Sequence, residues 1–353
     1  MRILAIDLGK NKSVACIYEA DGCIPQFHKL ATGIPAIQQL VQACRPDRVV
    51  IEICPAAGWV SDLVLTEGVE LQIANTSAPA WRWSNTKRKT DRDDALRLAQ
   101  LSAVNQLPQV PATDRATRQW RALIRYRHHL VGRRTQIRNH IRALFDREGI
   151  ALPKAHLCWT RNGIATLREE AQRFDEVEAD QLWRGELLCE LDALQAVDQI
   201  IDRAEKKLNA VEAQHQRCQL LRTIPGVGSR LAEIVVAVLG DPQRFSNGKE
   251  VGSYAGLTPR QYQSGDSDRQ GRISRQGNRL LRAMLVEVSW VSLRYNEWAR
   301  SVYERARRGS PNRKKIAIVA VARRLLIRCW AMLRDSSSWR TSSMTAERSS
   351  AFA

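Results

Sequence analysis

Long hydrophobic runs are missing from this 353-residue chain. No apolar stretch approaches the roughly twenty residues that a membrane-spanning helix needs. The apolar start is short and carries Asp7, which argues against a signal peptide. The eight cysteines form no CxxC pair, so neither a zinc site nor a disulfide framework is predicted. A reduced cytoplasmic protein is the simplest expectation.

Acidic residues are outnumbered. Lys and Arg total 55 against 37 Asp and Glu, which gives a net charge of +18. The segment 114–149 has ten arginines and three acids, 169–212 has five basic and thirteen acidic residues, and 260–334 has eighteen basic and five acidic residues. Two basic segments therefore flank an acidic one. A polyanion such as nucleic acid is the expected partner, and a solvated basic surface is the alternative.

The few acids in the first hundred residues stand in distinctive places. Asp7 ends the apolar run MRILAID just before Gly9, and Glu52 lies in the β-branched run RVVIEI. In KTDRDDA, Thr90 can cap a helix whose first turn carries Asp91 and Asp94 on one face. Buried strands present such residues at their carboxyl ends, where oxygen ligands can hold Mg²⁺.

Each of these acids also has an ordinary interpretation. Asp7 fits a turn, Glu52 an edge strand, and Asp91 and Asp94 the positive end of a helix dipole. Taken together, the four favour a metal site. Asp93 is expected to point away from the face that Asp91 and Asp94 share.

Residues 1 to about 110 alternate strands and helices. Strands are predicted near 2–7, 13–18, 24–30, 48–53 and 70–74, and helices near 35–45, 58–67 and 91–102, with a hairpin turn at 20–22. A mixed sheet that begins with a meander and adds helical crossovers is the ribonuclease H-like pattern. The basic residues beside the acids, which could hold a phosphodiester, are Lys87, Arg88 and Lys89.

The middle of the chain is predicted to be helical. A helix over 115–148 has an arginine-rich face that includes Arg134 and Arg138, which we assign to nucleic-acid binding. A second helical run, 174–221, repeats apolar residues at spacings of three and four, as in a coiled coil. This seam packs within a hairpin or against another copy, and oligomerisation is the preferred interpretation. Its residues are Leu187, Leu191, Leu194, Val197, Ile201, Ala204, Leu208 and Val211.

Two motifs follow in the last third. The stretch 220–240 resembles a helix-hairpin-helix element, in which Gly226 and Gly228 would let backbone N–H groups approach a phosphate, although a plain interhelical turn would look similar. In a polar loop before a helix from about 278, Ser264 precedes Gly265, and an exposed serine among arginines could attack a phosphodiester. An ordinary loop serine is the alternative. The surrounding arginines include Arg260, Arg269, Arg272, Arg275 and Arg279.

A basic helix is predicted over 305–332, and the Ser-rich tail after Arg334 is expected to be disordered.

The motifs IDLGK, VIEI, KTDRDDA, IPGVG, YAGLTPRQYQSG and GRISRQGNRLLR, in this order, resemble the DEDD transposases of the insertion-sequence one-hundred-ten family. The resemblance covers residues 1 to about 333. It implies a RuvC-like domain over 1–150, a coiled-coil connector over 151–218, and a mainly helical transposase domain over 219–334.

The resemblance also implies site residues and partners. Asp7, Glu52, Asp91 and Asp94 would be the Mg²⁺ ligands, and Ser264 the nucleophile that forms a covalent phosphoserine. Donor and target DNA would pair with an element-encoded bridge RNA. The enzyme would be a tetramer, a dimer of dimers, in the prokaryotic cytoplasm beside the nucleoid.

Other classes of protein stay open. A metal-dependent nuclease of the Holliday-junction resolvase type would use the same acids without a serine adduct. A sugar kinase of the actin type also begins with IDLG, but 33–185 offers no convincing glycine-rich phosphate loop. A non-enzymatic binding protein would explain the arginines and not the acids. If Ser264 is not the nucleophile, Ser274 is the first substitute.

Overall fold

The computed structural model describes residues 1–19, 23–76, 90–154, 156–264 and 267–340. The chain forms two compact units, Met1–Gln119 and Trp120–Ala353. This division differs from the predicted domains 1–150, 151–218 and 219–334, because the boundary falls near the start of the long basic helix. Within the described ranges, no helix is long and apolar enough to cross a membrane.

The first unit is built on a six-stranded mixed sheet in the order β3-β2-β1-β4-β5-β6. The strands are β1 (Arg2–Asp7), β2 (Lys12–Glu19), β3 (Gln26–Ala31), β4 (Arg48–Glu52), β5 (Glu70–Ala74) and β6 (Gln109–Val110). The first three pair antiparallel, whereas β4 is parallel to both β1 and β5. The predicted meander followed by crossovers is therefore confirmed. The predicted turn at 20–22 lies outside the described residues.

Helices cover both faces of this sheet. Helices α1 (Ile34–Cys44) and α2 (Ala57–Thr66) pack on the face of Leu4, Ile6 and Ile51. Helix α3 (Asp91–Ala103) packs on the opposite face, which carries Ala5 and Val50. The strands are hydrophobic in both alternating positions because both of their faces are buried.

The second unit begins with a pair of long helices. Helix α4 (Arg115–Arg147) starts just before the unit boundary, and α6 (Leu182–Ala213) follows the shorter α5 (Arg161–Glu170). Leu130 of α4 packs with Val197 and Ile201, and Leu144 packs with Leu187 and Leu191. Later residues of α4 therefore pack with earlier residues of α6, which means that the two helices are antiparallel.

This pairing corrects the preferred interpretation of the coiled-coil seam. Seven of its eight residues are buried, and much of the seam is covered by α4 of the same chain. The hairpin alternative, a helix pair closed within one molecule, is the one observed. The apolar spacing identified the buried side correctly but not what covers it.

The rest of the second unit packs helices around a large core. These are α7 (Gln216–Arg222), α8 (Ser229–Leu239), α9 (Gly248–Tyr254), α10 (Arg279–Tyr295), α11 (Glu297–Arg307) and α12 (Lys314–Asp335). A two-stranded antiparallel hairpin, β7 (Pro259–Ser264) and β8 (Ser267–Ile273), stands between α9 and α10. Helix α8 is buried over almost its whole length, which agrees with its apolar sequence.

Two predicted helical runs are interrupted. The run 174–221 is broken at Gln214 and His215, where α6 ends and α7 begins. The helix predicted over 305–332 is interrupted because Gly309 has a positive φ of 71° and a short 3-10 helix starts at Pro311.

The tail, predicted to be disordered from 335, is in part packed. Trp339 meets Trp298 with 5.4 Å between ring centroids, and the Arg328 guanidinium lies 5.3 Å from the centroid of the Trp339 ring. Residues 341–353 lie outside the described part of the chain.

Candidate active site

Asp7 and Glu52 end two neighbouring parallel strands. Ile6 of β1 is in register with Ile51 of β4, so Asp7 and Glu52 occupy the next position of each strand. They alternate with Ile6 and Ile51, and therefore face the side of the sheet that carries Ala5 and Val50. That side is covered by α3.

Helix α3 runs antiparallel to β4. Arg48, at the start of β4, donates from Nη1 to the carbonyl oxygen and to Oγ of Ser102, near the end of α3, at 3.3 Å each. From this contact, Glu52 is four residues along the strand, about 13 Å. Asp94 is eight residues back along the helix, about 12 Å. The start of α3 thus lies at the carboxyl end of β4.

The three aspartates in the first turn of α3 lie on different sides of the helix and have different contacts. Asp91 and Asp94 precede Ala95 and Leu98 by four residues, so they continue the stripe that packs on the sheet. Asp93 instead closes a capping box: its Oδ2 accepts from Thr90 N at 3.1 Å, and Thr90 Oγ1 accepts from Asp93 N at 3.3 Å. The cap predicted at Thr90 is confirmed. The Asp93 side chain is therefore used to cap the start of α3.

The donor set at this corner suits a hard divalent cation. Carboxylate oxygens are the ligands that Mg²⁺ prefers, and all four acids belong to elements that end or begin here. In the part of the chain that the structure describes, no three His, Cys, Asp or Glu side chains lie closely enough together to hold a metal. Asp7, Glu52 and Asp94 each interact with another group. Lys87, Arg88 and Lys89 lie outside the described residues.

Ser264 ends β7 at the tip of the hairpin. Its backbone is in register with Ser267 of β8, and the two residues between them are not described. The predicted flexible loop is therefore a two-stranded ribbon. Asn278 caps α10, as predicted, and its Oδ1 accepts from Leu281 N at 3.0 Å.

Backbone contacts fix the base of this hairpin. Gly256 and Gly277 have positive φ values of 67° and 75°, and an added Cβ on either would collide with main-chain atoms of the other segment. Ser274 N donates to Thr258 O at 2.8 Å. Arg282 of α10 donates to Ala255 O at 3.0 Å and to Gln276 O at 2.5 Å, and burial lowers its pKa. Arg282 was not among the predicted residues, although it lies in the motif GRISRQGNRLLR.

The arginines around the hairpin are exposed, as a phosphate-binding surface needs. None of them forms an ion pair in the regions that the structure covers. They are Arg260, Arg269, Arg272, Arg275 and Arg279. Arg275 has a positive φ of 58°, which turns the chain back towards α10.

The two glycines of the turn between α7 and α8 differ in how closely other residues pack around them. Gly226, with φ of 89°, lies against α10, where an added Cβ would be 3.0 Å from Ser292 Cα. Gly228 precedes α8 and has open space where its Cβ would be. Two helices joined by a short turn are present, and phosphate binding by that turn stays a prediction.

Two predicted nucleic-acid contacts have partners within the chain. Arg134 Nη1 lies 3.3 Å from Asp198 Oδ1 of α6. The Arg138 guanidinium lies 5.1 Å from the centroid of the Trp159 ring, and burial lowers its pKa. Arg127 likewise donates from Nε to Glu205 at 2.7 Å. The sequence could not reveal this, because the acidic partners lie about 65–80 residues away. Within α4, Arg125 and Arg133 remain exposed.

The first unit carries carboxylates at the carboxyl ends of its strands, and the second unit carries exposed arginines. An enzyme that acts on a nucleic-acid backbone needs groups of both kinds. Two family models agree with this class. One, described as "Transposase" and specific to DEDD transposases of IS110 elements, matches residues 4–149. The other, described as "Transposase IS116/IS110/IS902 family", matches residues 218–304. The chain belongs to this family and is a DNA transposase.

Curated relatives extend over most of the chain. It is 27% identical over 351 residues to the transposase for insertion sequence element IS1111A of Coxiella burnetii, covering 96% of this chain and 92% of that protein. It is 26% identical over 297 residues to the transposase for IS1328 of Yersinia enterocolitica, covering 84% and 85%. The solved structure of Thermus thermophilus RuvC is similar over 31% of this chain and 100% of its own, with 14% identity and a TM-score of 0.26.

Proposed function

We propose that this transposase cuts DNA with a serine nucleophile, Ser264, assisted by Mg²⁺ on Asp7, Glu52, Asp91 and Asp94, and that a bridge RNA selects the DNA. The single observation that carries the metal site is the convergence of β1, β4 and the start of α3 at one edge of the sheet. The serine is supported by its position at the tip of an arginine-rich ribbon.

Bound Mg²⁺ would supply Lewis-acid polarisation of the scissile phosphate. Ser264 Oγ forms the new bond to phosphorus, while the bond from phosphorus to the 3′-oxygen breaks. The 3′-oxygen of the departing strand takes up the proton that the serine loses and becomes a 3′-hydroxyl. Exposed guanidinium groups such as Arg272 stabilise the charge that grows on the phosphate. The phosphoserine keeps the bond energy, so a 3′-hydroxyl of another strand can rejoin to it without ATP.

The nucleophile is tested with end-labelled DNA and denaturing gels. The wild-type protein should yield a protein–DNA adduct, and Ser264→Ala should abolish it while DNA binding persists. Ser274→Ala, altered ten residues further on, is the matched control and should retain the adduct. An adduct that survives in Ser264→Ala refutes the assignment. Cut DNA with no adduct in the wild type supports the resolvase-like alternative, in which the same acids activate water.

The guide RNA and the tetramer rest on the family resemblance. Sequencing of the RNA that copurifies with the full chain should return one element-encoded species that pairs with both donor and target DNA. Nuclease removal of that RNA should abolish site-specific cutting. Light scattering of the loaded complex should give four protomers. Because the α6 seam is largely covered by α4, the tetramer contacts must use other surfaces.

A further inference from the structure

Tyr262 is an exposed aromatic residue in the middle of the hairpin. It belongs to β7, and 59% of its surface is accessible to solvent. Two residues after it along the same strand stands Ser264. Nothing in the mechanism proposed above uses this ring.

The ring is supported from one side by a residue with no side chain. A Cβ placed on Gly271 of β8 would lie 2.7 Å from Cε2 of Tyr262 and 3.4 Å from Cδ2. The absence of that atom allows the ring to lie close against the neighbouring strand. A ring held against backbone and exposed over more than half of its surface offers its outer side to a second flat group.

The register gives this ring a basic neighbour. Tyr262 pairs directly with Arg269 across the hairpin, and alternate residues of a strand share one face. Arg269 therefore lies on the same face as Tyr262, and Ser264 ends the same strand two positions further along. Adjacent Gln263 belongs to the opposite face. Aromatic rings beside cationic groups bind unpaired bases, because every base has a flat π surface and a phosphate nearby.

We propose that Tyr262, held against Gly271 and paired with Arg269, stacks on an unpaired DNA base next to the phosphate that Ser264 attacks. This inference rests on the proposed serine chemistry for its position in the reaction. A stacked base would fix the strand along the ribbon, so that one phosphodiester is presented to the serine. The ring then selects single-stranded or unpaired DNA over intact duplex.

The competing explanation is that Tyr262 only covers Gly271 and stabilises the hairpin. Tyr262→Leu separates the two, because leucine keeps an apolar cover over the glycine but has no π surface. Tyr262→Phe keeps the surface and loses only the hydroxyl. Gln263→Ala, one residue away on the other face, is the matched control.

The experiment measures affinity of the full chain, with its copurified RNA, for single-stranded oligodeoxynucleotides from the end of its own element. Each oligonucleotide carries one abasic site, moved base by base across the sequence. Wild-type protein, Tyr262→Phe and Gln263→Ala should each lose about tenfold in affinity at one position. Tyr262→Leu should bind the intact strand about tenfold more weakly and show no further loss at that position.

Two results would overturn the proposal. One is a position-dependent loss that is as large in Tyr262→Leu as in the wild type. The other is a wild-type protein that is indifferent to every abasic site. Adduct formation is read separately on denaturing gels. A Tyr262-dependent loss without any adduct would sustain the stacking and refute the serine mechanism, whereas an adduct without such a loss would do the reverse.

Discussion

Three aspartates in the first turn of α3 have the same charge and different surroundings. Asp93 is bonded to Thr90 in the capping box, whereas Asp91 and Asp94 stand on the stripe that faces the sheet. The spacing in KTDRDDA was enough to predict both the cap and the shared face, because helix geometry is local. The relation to Asp7 and Glu52 is not local and needed the sheet order.

Alanine at Asp93 and at Asp94 should therefore have opposite effects. Asp93→Ala should lower the free energy of unfolding by about 1 kcal/mol, because the cap is lost, and should preserve DNA cutting. Asp94→Ala should abolish cutting and change stability little. Thermal unfolding and a cleavage assay on both variants check this. Equal losses of activity would contradict the division of roles.

Glu233 of α8 is a buried acid that forms an ion pair with Arg230. It is 1% exposed, and its Oε1 lies 3.0 Å from Arg230 Nη1. Burial raises its pKa above the ordinary value, with Arg230 opposing the shift. Between the ordinary and the raised pKa, the folded state binds more protons than the unfolded state, so stability should fall as pH rises through that window.

Urea unfolding at a series of pH values from 4 upward tests this expectation. As pH rises, the free energy of unfolding of the wild type should fall relative to that of Glu233→Gln, because only the wild type carries this carboxyl. Glu287→Gln, which alters an exposed glutamate of α10, is the control and should follow the wild type. The same pH dependence in the wild type and in Glu233→Gln would contradict the expectation.

At the scale of elements, α4 and α6 show what a sequence pattern contains and what it omits. Apolar spacing located the buried side of α6 correctly. The basic and acidic segments looked like two separate surfaces in the sequence, yet Arg127 and Arg134 of one pair with Glu205 and Asp198 of the other. Charge counting along the chain cannot reveal such pairing, because it is set by tertiary contact.

The helix pair yields a prediction about the seam. Leu191→Ala should lower the free energy of unfolding by about 3 kcal/mol, because Leu191 is only 2% exposed and packs with α4 of its own chain. The oligomeric state should not change. Denaturation and light scattering measure the two quantities. If Leu191→Ala instead dissociates the assembly and leaves the stability of the protomer unchanged, the seam of α6 packs against another copy of the chain.

For the whole molecule, the net charge of +18 is only partly available to nucleic acid. Arg127 and Arg134 of α4 are paired with acids of α6, while the arginines of the hairpin region are exposed. The order of strands and helices in the first unit was predictable because strands and crossovers are short and locally coded. The compact units meet at residues 119 and 120, inside α4, and the domains 1–150, 151–218 and 219–334 stay a prediction.

The salt dependence of DNA binding should distinguish the two sets of arginines. Arg272→Gln should reduce the slope of log affinity against log salt by about 1, as expected for one lost phosphate contact. Arg134→Gln should leave the slope nearly unchanged, since Asp198 already neutralises that charge. Binding isotherms over a range of salt concentrations provide the slopes. An equal reduction of the slope in both variants would show that Arg134 also contacts DNA phosphates.

The contact of Trp339 with Trp298 matters for anyone who engineers this chain. Trp339 N also donates to Thr223 Oγ1 at 3.0 Å, so the segment just beyond α12 is bonded to the end of α7. Trimming the polypeptide at Ser336 would strip an aromatic cover from the molecule and invite aggregation. Purification handles and fusion partners are better attached after Arg340, where this cover stays intact.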